Sequence, residues 1–253
     1  MNILAILIRF EYYIRVKYVV ITTKNQKGEI FMDINQIKDT VIFQGMTESE
    51  IGEALKGLNA STKRYKKGST ILFAGSTTKR MGLVLEGSVT IENNDIWGNK
   101  TILGFVGRNE FFAETYGMLS DEPMLVDVVA NADCTVVFLT IAALRSAVVR
   151  NEPWASKIIG NLLIISTQKN LALSGRSFHI SHKTVRGRVM SYLNSESIRK
   201  GRMAFEIPFN RQQMADYLNL DRTALSKELG RMKKDGLIDF CKNQFQIKEH
   251  MEI

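Results

Sequence analysis

Arg222, Thr223, Ser226 and Lys227 place a guanidinium, an ammonium and two hydroxyls within one short stretch. The chemistry such a set performs is recognition, not bond making. Arg and Lys donate to guanine O6 and N7, threonine meets a base edge or a thymine methyl, and serine donates to phosphate. Asn210 and Gln212, a little upstream, add side-chain amides suited to positioning phosphates. Two short helices must hold these groups. Asn210 caps a helix expected over Arg211–Leu218, with Gln213 three residues on as the other half of a capping box. Asn219-Leu220 forms the turn, and Asp221 caps a second helix running to about Lys234. Asp221 is a cap more than a contact, because a carboxylate aimed at phosphate repels it. Met214, Ala215 and Leu218 form one apolar stripe, and Leu225, Leu229 and Met232 the other. After Asp235-Gly236, residues 237–247 alternate apolar and polar around Lys242-Asn243, as a hairpin wing does. Residues 177–253 therefore read as a winged helix-turn-helix that binds DNA. The bland alternative is a surface helical hairpin with solvated charges.

The distribution of charge weighs against that alternative. The net charge of +8 divides into +3 over residues 1–31 (five basic, two acidic), zero over 32–176 (15 of each) and +5 over 177–253 (14 basic, nine acidic). Within the folded part, the positive charge lies where phosphate neutralisation needs it. Cys134 and Cys241 are isolated among apolar neighbours, so small buried hydrophobes in a reducing cytoplasm are expected, not an iron–sulfur site needing about four thiolates. His179, His182 and His250 all lie outside the central region, which leaves it without imidazoles for metal catalysis.

Residues 1–31 form an extension. Arg9, Glu11, Arg15 and Lys17 interrupt the apolar run Ile3–Ile8 too soon for a membrane span. Translation is expected to start at Met32, behind a purine-rich run that would encode Lys27-Gly28-Glu29; a disordered or helical basic tail is the alternative. Residues 32–152 are read as a sensing domain. Gly68, Gly75, Gly87, Gly98, Gly104 and Gly107 separate short β-like runs, which predicts a closed antiparallel roll or sandwich. No nucleophile elbow, phosphate loop or metal-ligand spacing occurs, so no catalytic residues or cofactor are assigned. Residues 153–176 read as one long helix with a seam at Ala155, Ile158, Leu162, Ile165, Lys169 and Ala172. Ile159, Leu163, Ile164 and Leu171 widen its apolar surface, which suits a helix facing both its own domain and a second copy. A second amphipathic helix is expected from about Ser181 to Leu193.

A glycine-punctuated roll, a long helix and a winged helix-turn-helix, in that order, resemble the Crp/Fnr family of bacterial transcription regulators over about residues 40–248. The specific marks are residues 81–91 (MGLVLEGSVTI), 107–114 (GRNEFFAE) and 221–232 (DRTALSKELGRM). The resemblance implies an α+β chain with a jelly-roll-like sensor, a dimerisation helix, and a homodimer on a near-palindromic operator, with RNA polymerase as protein partner. Ile158, Leu162, Ile165, Lys169 and Ala172 are then the dimer contacts.

This chain departs from the cyclic-AMP-binding members. Ala113-Glu114 stands at their Gly-Glu pair, and Met124-Leu125 at the Arg-Ser that anchors the phosphate. Burying a phosphate against Met and Leu leaves its charge unpaired, which argues against a cyclic nucleotide. An apolar or weakly polar effector, or none, remains. If a pocket exists, Phe112, Glu114, Thr115, Tyr116, Met124 and Leu125 line it; otherwise they are roll core. The rival function is a regulatory subunit whose C-terminal domain docks on protein. An enzyme would have only Glu110, Glu114 and Asp127 to work with, and no paired base.

Overall fold

The computed structural model describes residues 18–21, 30–94 and 100–248, with side chains from residue 34 onward. Tyr18–Ile21 (β1) and Ile30–Asp33 (β2) pair antiparallel, Met32 opposite Val19. The remainder of the 1–31 extension, with its expected late start, lies outside the described residues. The chain forms two compact units: residues up to 91 with 106–167, and residues 92–105 with 168 onward.

In the first unit α1 (Glu48–Gly57) is fixed by a capping box. The Glu50 amide donates to Thr47 Oγ1 at 3.3 Å and the Thr47 amide donates back to the Glu50 carboxylate at 2.8 Å. The strands that follow along the chain are β3 (Ser61–Tyr65), β4 (Thr70–Leu72), β5 (Met81–Glu86), β6 (Val89–Asn94), β7 (Lys100–Val106), β8 (Phe111–Phe112), β9 (Asp127–Ala130) and β10 (Cys134–Leu139); the end of β6 and β7 up to Phe105 belong to the second unit. They make two four-stranded sheets, ordered β3-β10-β5-β8 and β4-β9-β6-β7. Helices α2 (Glu114–Leu119) and α3 (Leu144–Val149) punctuate the roll before the long α4 (Pro153–Ser181). Gly87 joins β5 to β6 at φ 76°, where a Cβ would stand 2.2 Å from the Asp133 carbonyl oxygen, so only glycine fits.

Alternation along the first sheet builds two cores at once. Leu83, Leu85, Val137 and Leu139 pack with Ile51 and Leu55 of α1 and with α4. Val84, Val136 and Phe138 turn the other way, to Phe112, Met124 and Val128 in the roll interior.

On helix α4 the first part of the expected dimer seam turns inward, so Ile158, Leu162 and Ile165 are corrected from dimer contacts to core. Ala155, Ile158, Leu162 and Ile165 are buried in the core of their own unit, beside Trp154. Lys169 is half-buried and Ala172 exposed. The stripe picked out by three-and-four spacing is, up to Ile165, the one that α4 lays on its own unit. The exposed side carries Ile159, Leu163, Ile164, Leu171, Leu173 and Phe178 instead. The helix also continues past Arg176 to Ser181, because no breaker precedes the Thr184 cap.

In the second unit α5 (Val185–Lys200) starts where the Gly187 amide donates to Thr184 Oγ1 at 3.0 Å and stops at Gly201, φ 62°. It begins and ends later than the sequence predicts. A short strand, β11 (Ala204–Glu206), leads to α6 (Arg211–Tyr217) and α7 (Arg222–Lys234), then β12 (Ile238–Cys241) and β13 (Gln244–Ile247). The wing sheet is ordered β11-β13-β12, and the turn at Lys242 takes φ 53°. Val189, Leu193, Phe205, Phe209, Met214, Leu225, Leu229 and Met232 form the core, and Ile102 joins them.

Candidate nucleic-acid interface

Both helix starts are fixed by the side chains that the sequence nominates. The Gln213 amide donates to Asn210 Oδ1 at 3.0 Å and the Asn210 amide donates to Gln213 Oε1 at 2.9 Å. The Ala224 amide donates to Asp221 Oδ1 at 2.8 Å, so the Asp221 carboxylate is a cap. Between them Asn219 takes φ 52°, and the Leu220 amide closes the turn on the Ala215 carbonyl at 2.9 Å. Ala215 is fully buried, as the close approach of α6 and α7 requires.

This geometry divides α7 into two faces. Leu225, Leu229 and Met232 are fully buried, while Arg222, Thr223, Ser226 and Lys227 are exposed together at the N-terminal end. Neither Arg222 nor Lys227 enters an ion pair among the described residues. They can therefore meet an anionic partner without first giving up a carboxylate. Asn210 and Gln212 are also exposed, but Gln212 Nε2 donates to Asp216 Oδ1 at 2.8 Å and must exchange that bond to reach phosphate.

Several neighbouring cations are committed inside the fold. Arg186 Nε meets Glu228 at 2.6 Å and its Nη2 meets Asp235 at 2.7 Å, bonds that raise its proton affinity. Lys233 pairs with Asp239 at 2.5 Å, which holds that carboxyl below its ordinary range. Arg211 lies over the stacked Phe240 and Phe245 rings, 5.1 and 5.6 Å from their centroids, and donates to the Lys242 carbonyl at 3.3 Å. Burial lowers its pKa.

Sequence reasoning missed two further arginines. Arg176 Nε donates to the Tyr217 carbonyl at 3.1 Å, with its guanidinium 5.4 Å from the Tyr217 ring centroid. Arg188 Nη1 donates to the carbonyls of Leu218 at 3.3 Å and Asn219 at 2.7 Å. Nothing in local spacing signals these contacts, which span 30 to 41 residues. Beside them His179 is buried, its Nδ1 2.9 Å from Ser191 Oγ and its ring edge-on to Tyr192. Burial pushes its pKa down; Glu196 opposes this and His182 adds to it.

The residues nominated for an effector pocket differ in placement. Phe112 and Met124 are core, Phe112 edge-on to Phe138 with centroids 6.2 Å apart. Its ring fills the space left by Gly82, where a Cβ would lie 2.1 Å from it. Glu114 is buried, Thr115 exposed and Tyr116 half-buried, its hydroxyl accepting from the Leu125 amide at 3.2 Å. Leu125 is 76% exposed and lines no interior, because Tyr116 holds its backbone at the surface. Ala113, at the head of α2, takes the left-handed conformation (φ 61°) that glycine adopts more cheaply.

Comparison with known proteins agrees with this architecture. Residues 62–151 match the cyclic nucleotide-binding domain and residues 187–251 the Crp-like helix-turn-helix domain. The transcriptional activator protein FnrL of Cereibacter sphaeroides is 24% identical over 186 residues, 70% of this chain and 71% of that protein. The cAMP-activated global transcriptional regulator Vfr of Pseudomonas aeruginosa is 31% identical over 87 residues, 33% of this chain and 40% of that protein. Among solved structures, the c-di-GMP responsive regulator CLP of Xanthomonas campestris superposes with a TM-score of 0.65 at 18% identity, covering 80% of this chain and all of that one. FixK2 of Bradyrhizobium japonicum does so with 0.60 at 19% identity, covering 75% and 93%. At these identities the structural likeness is one of fold. With both domain models matched in the family's order, the chain belongs to the Crp/Fnr family of DNA-binding transcription regulators.

Proposed function

We propose that the protein acts as a homodimer on a near-palindromic operator, each α7 entering a major groove with half-sites about one helical turn apart. Arg222 and Lys227 face base edges, Thr223 a base edge or thymine methyl, and Asn210, Gln212 and Ser226 position phosphates. The observation that carries this reading is the exposed quartet at the capped start of α7, opposite a fully buried face.

The dimer contact we assign to the outward side of α4. Gly160, Ile164, Thr167, Leu171, Ser174 and Phe178 recur at alternating steps of four and three, all exposed or half-buried, with Leu171 at 71% and Phe178 at 69% exposure. Gly160 has open space around its Cβ position, so a second helix can approach there.

Regulation in the cytoplasm through RNA polymerase, by binding alone and with no catalytic step, completes the proposal; no described helix is long and apolar enough to cross a membrane. An effector, if the roll takes one, is not a cyclic nucleotide at the family's phosphate cassette, because Met124 is buried in the apolar core. A gel shift across ionic strength, with an operator selected from random duplexes, tests the reading. Steep salt dependence with one preferred near-palindrome is expected; no preferred sequence overturns it.

A further inference from the structure

Helix α6 is only seven residues long, about two turns, yet it must fix the direction of the recognition helix that follows it. The last carbonyls of any helix lack intrahelical partners and carry the negative end of its dipole. Caps ordinarily come from adjacent chain. Here the carbonyls of Tyr217, Leu218 and Asn219, the end of α6 and the start of its turn, are instead held by two guanidiniums from elsewhere. Arg188 comes from α5 and also donates from Nε to the His182 carbonyl at 2.9 Å, tying in the α4–α5 connection. Arg176 comes from the C-terminal part of α4 and grips Tyr217 by both carbonyl and ring. Tyr217 in turn is packed against Phe209 and Tyr192, with centroids 4.8 and 5.4 Å away.

We propose that Arg176 and Arg188 are positioning residues for operator recognition. They fix the helix-turn-helix to the end of α4, so that α7 takes its orientation from α4 as well as from the winged-helix core. Neither touches DNA. Arg176 is the more telling of the two, because it sits on the helix whose first part belongs to the other unit. A shift or rotation of α4 would carry the turn carbonyls with it and re-aim Arg222 and Lys227. The inference rests on α7 being the helix that reads bases.

The test uses the full chain and an operator that the unaltered protein selects from random duplexes, with a scrambled duplex of equal length beside it. Arg176→Met keeps the stem and removes charge and donors; Arg176→Lys keeps the charge but not the planar fork. Operator affinity is expected to fall about tenfold in both variants, the scale of a lost charged hydrogen bond. Affinity for the scrambled duplex and the slope of affinity against salt should stay as in the parent. Equal weakening on both duplexes, with a slope reduced by about one, would make Arg176 a phosphate contact and overturn the proposal. Unchanged operator affinity, or full recovery with Lys, overturns it as well. Melting curves confirm that each variant is folded at the assay temperature; should Arg176→Met not be, Arg176→Lys and Arg188→Lys carry the same test. Failure of the parent to prefer any sequence would refute the base-reading role of α7 instead.

Discussion

Arg186 at the start of α5 and Glu228 in the middle of α7 are joined at 2.6 Å, with the Glu228 side chain almost fully withdrawn from solvent. Asp235 and Arg231 complete the group, at 2.7 Å from Arg186 and 3.5 Å from Glu228. Glu228 thus anchors the recognition helix to its own domain. Glu228→Ala should lower the melting temperature while leaving sequence preference intact, which calorimetry and competition binding would measure. A changed preference with unchanged melting would place Glu228 in the groove.

Arg222→Ala should cost about 1–3 kcal/mol of discrimination at one base pair. Lys233→Ala makes a useful contrast. Although it lies on the same helix, its ammonium is engaged by Asp239 and sits 5.6 Å over Phe240, so its loss should loosen the wing more than it weakens phosphate binding. Anisotropy titrations on single-base operator variants decide both.

Opposite faces of α4 should answer differently to substitution. Leu162→Ala empties space in the roll-side core and should cost about 2–5 kcal/mol of stability. Leu171→Asp, on the exposed side, should leave the fold intact and yield monomers in sedimentation. A monomeric parent protein would refute the assignment.

His179 predicts an acid sensitivity. Its folded pKa lies below the ordinary imidazole value because burial disfavours the cation. The unfolded chain therefore binds the extra proton first, and stability must fall as pH drops through and below about 6.5. Melting of the parent at pH 7.5 and pH 5 should show this loss, and His179→Gln should reduce it. Equal pH dependence in the two proteins would move the effect elsewhere.

Millimolar cyclic AMP or cyclic GMP should leave the melting temperature where it was. A ligand at 100 times its dissociation constant would add about 2.7 kcal/mol, a visible shift. Saturable stabilisation by either nucleotide would contradict the reading of Met124 as core.

The helix-turn-helix was legible because its determinants are local. Asn210 with Gln213, Asp221 with Ala224, and two short apolar stripes all act within one or two helical turns. The roll was legible as a class from its glycines, yet the three-residue β11 was too brief to leave a pattern. For α4, spacing revealed apolar stripes but not which partner each would meet. Ile158 and Leu162 look like coiled-coil positions until they are found in one core with Ile51 and Leu55. Arg176, Arg188 and the turn carbonyls were invisible for the opposite reason, since backbone oxygens carry no residue identity.

Gly82 and Phe112 form a lock of one absent side chain and one large ring. Phe112→Ala would vacate a ring-sized space walled by Val84, Val136 and Phe138, and apolar hollows of this kind stay dry and admit benzene-like guests. The same pair that closes the roll could therefore be turned into a receptor of chosen specificity, letting an added aromatic solvent molecule restore a fold, and with it a gene switch, that the truncation had weakened.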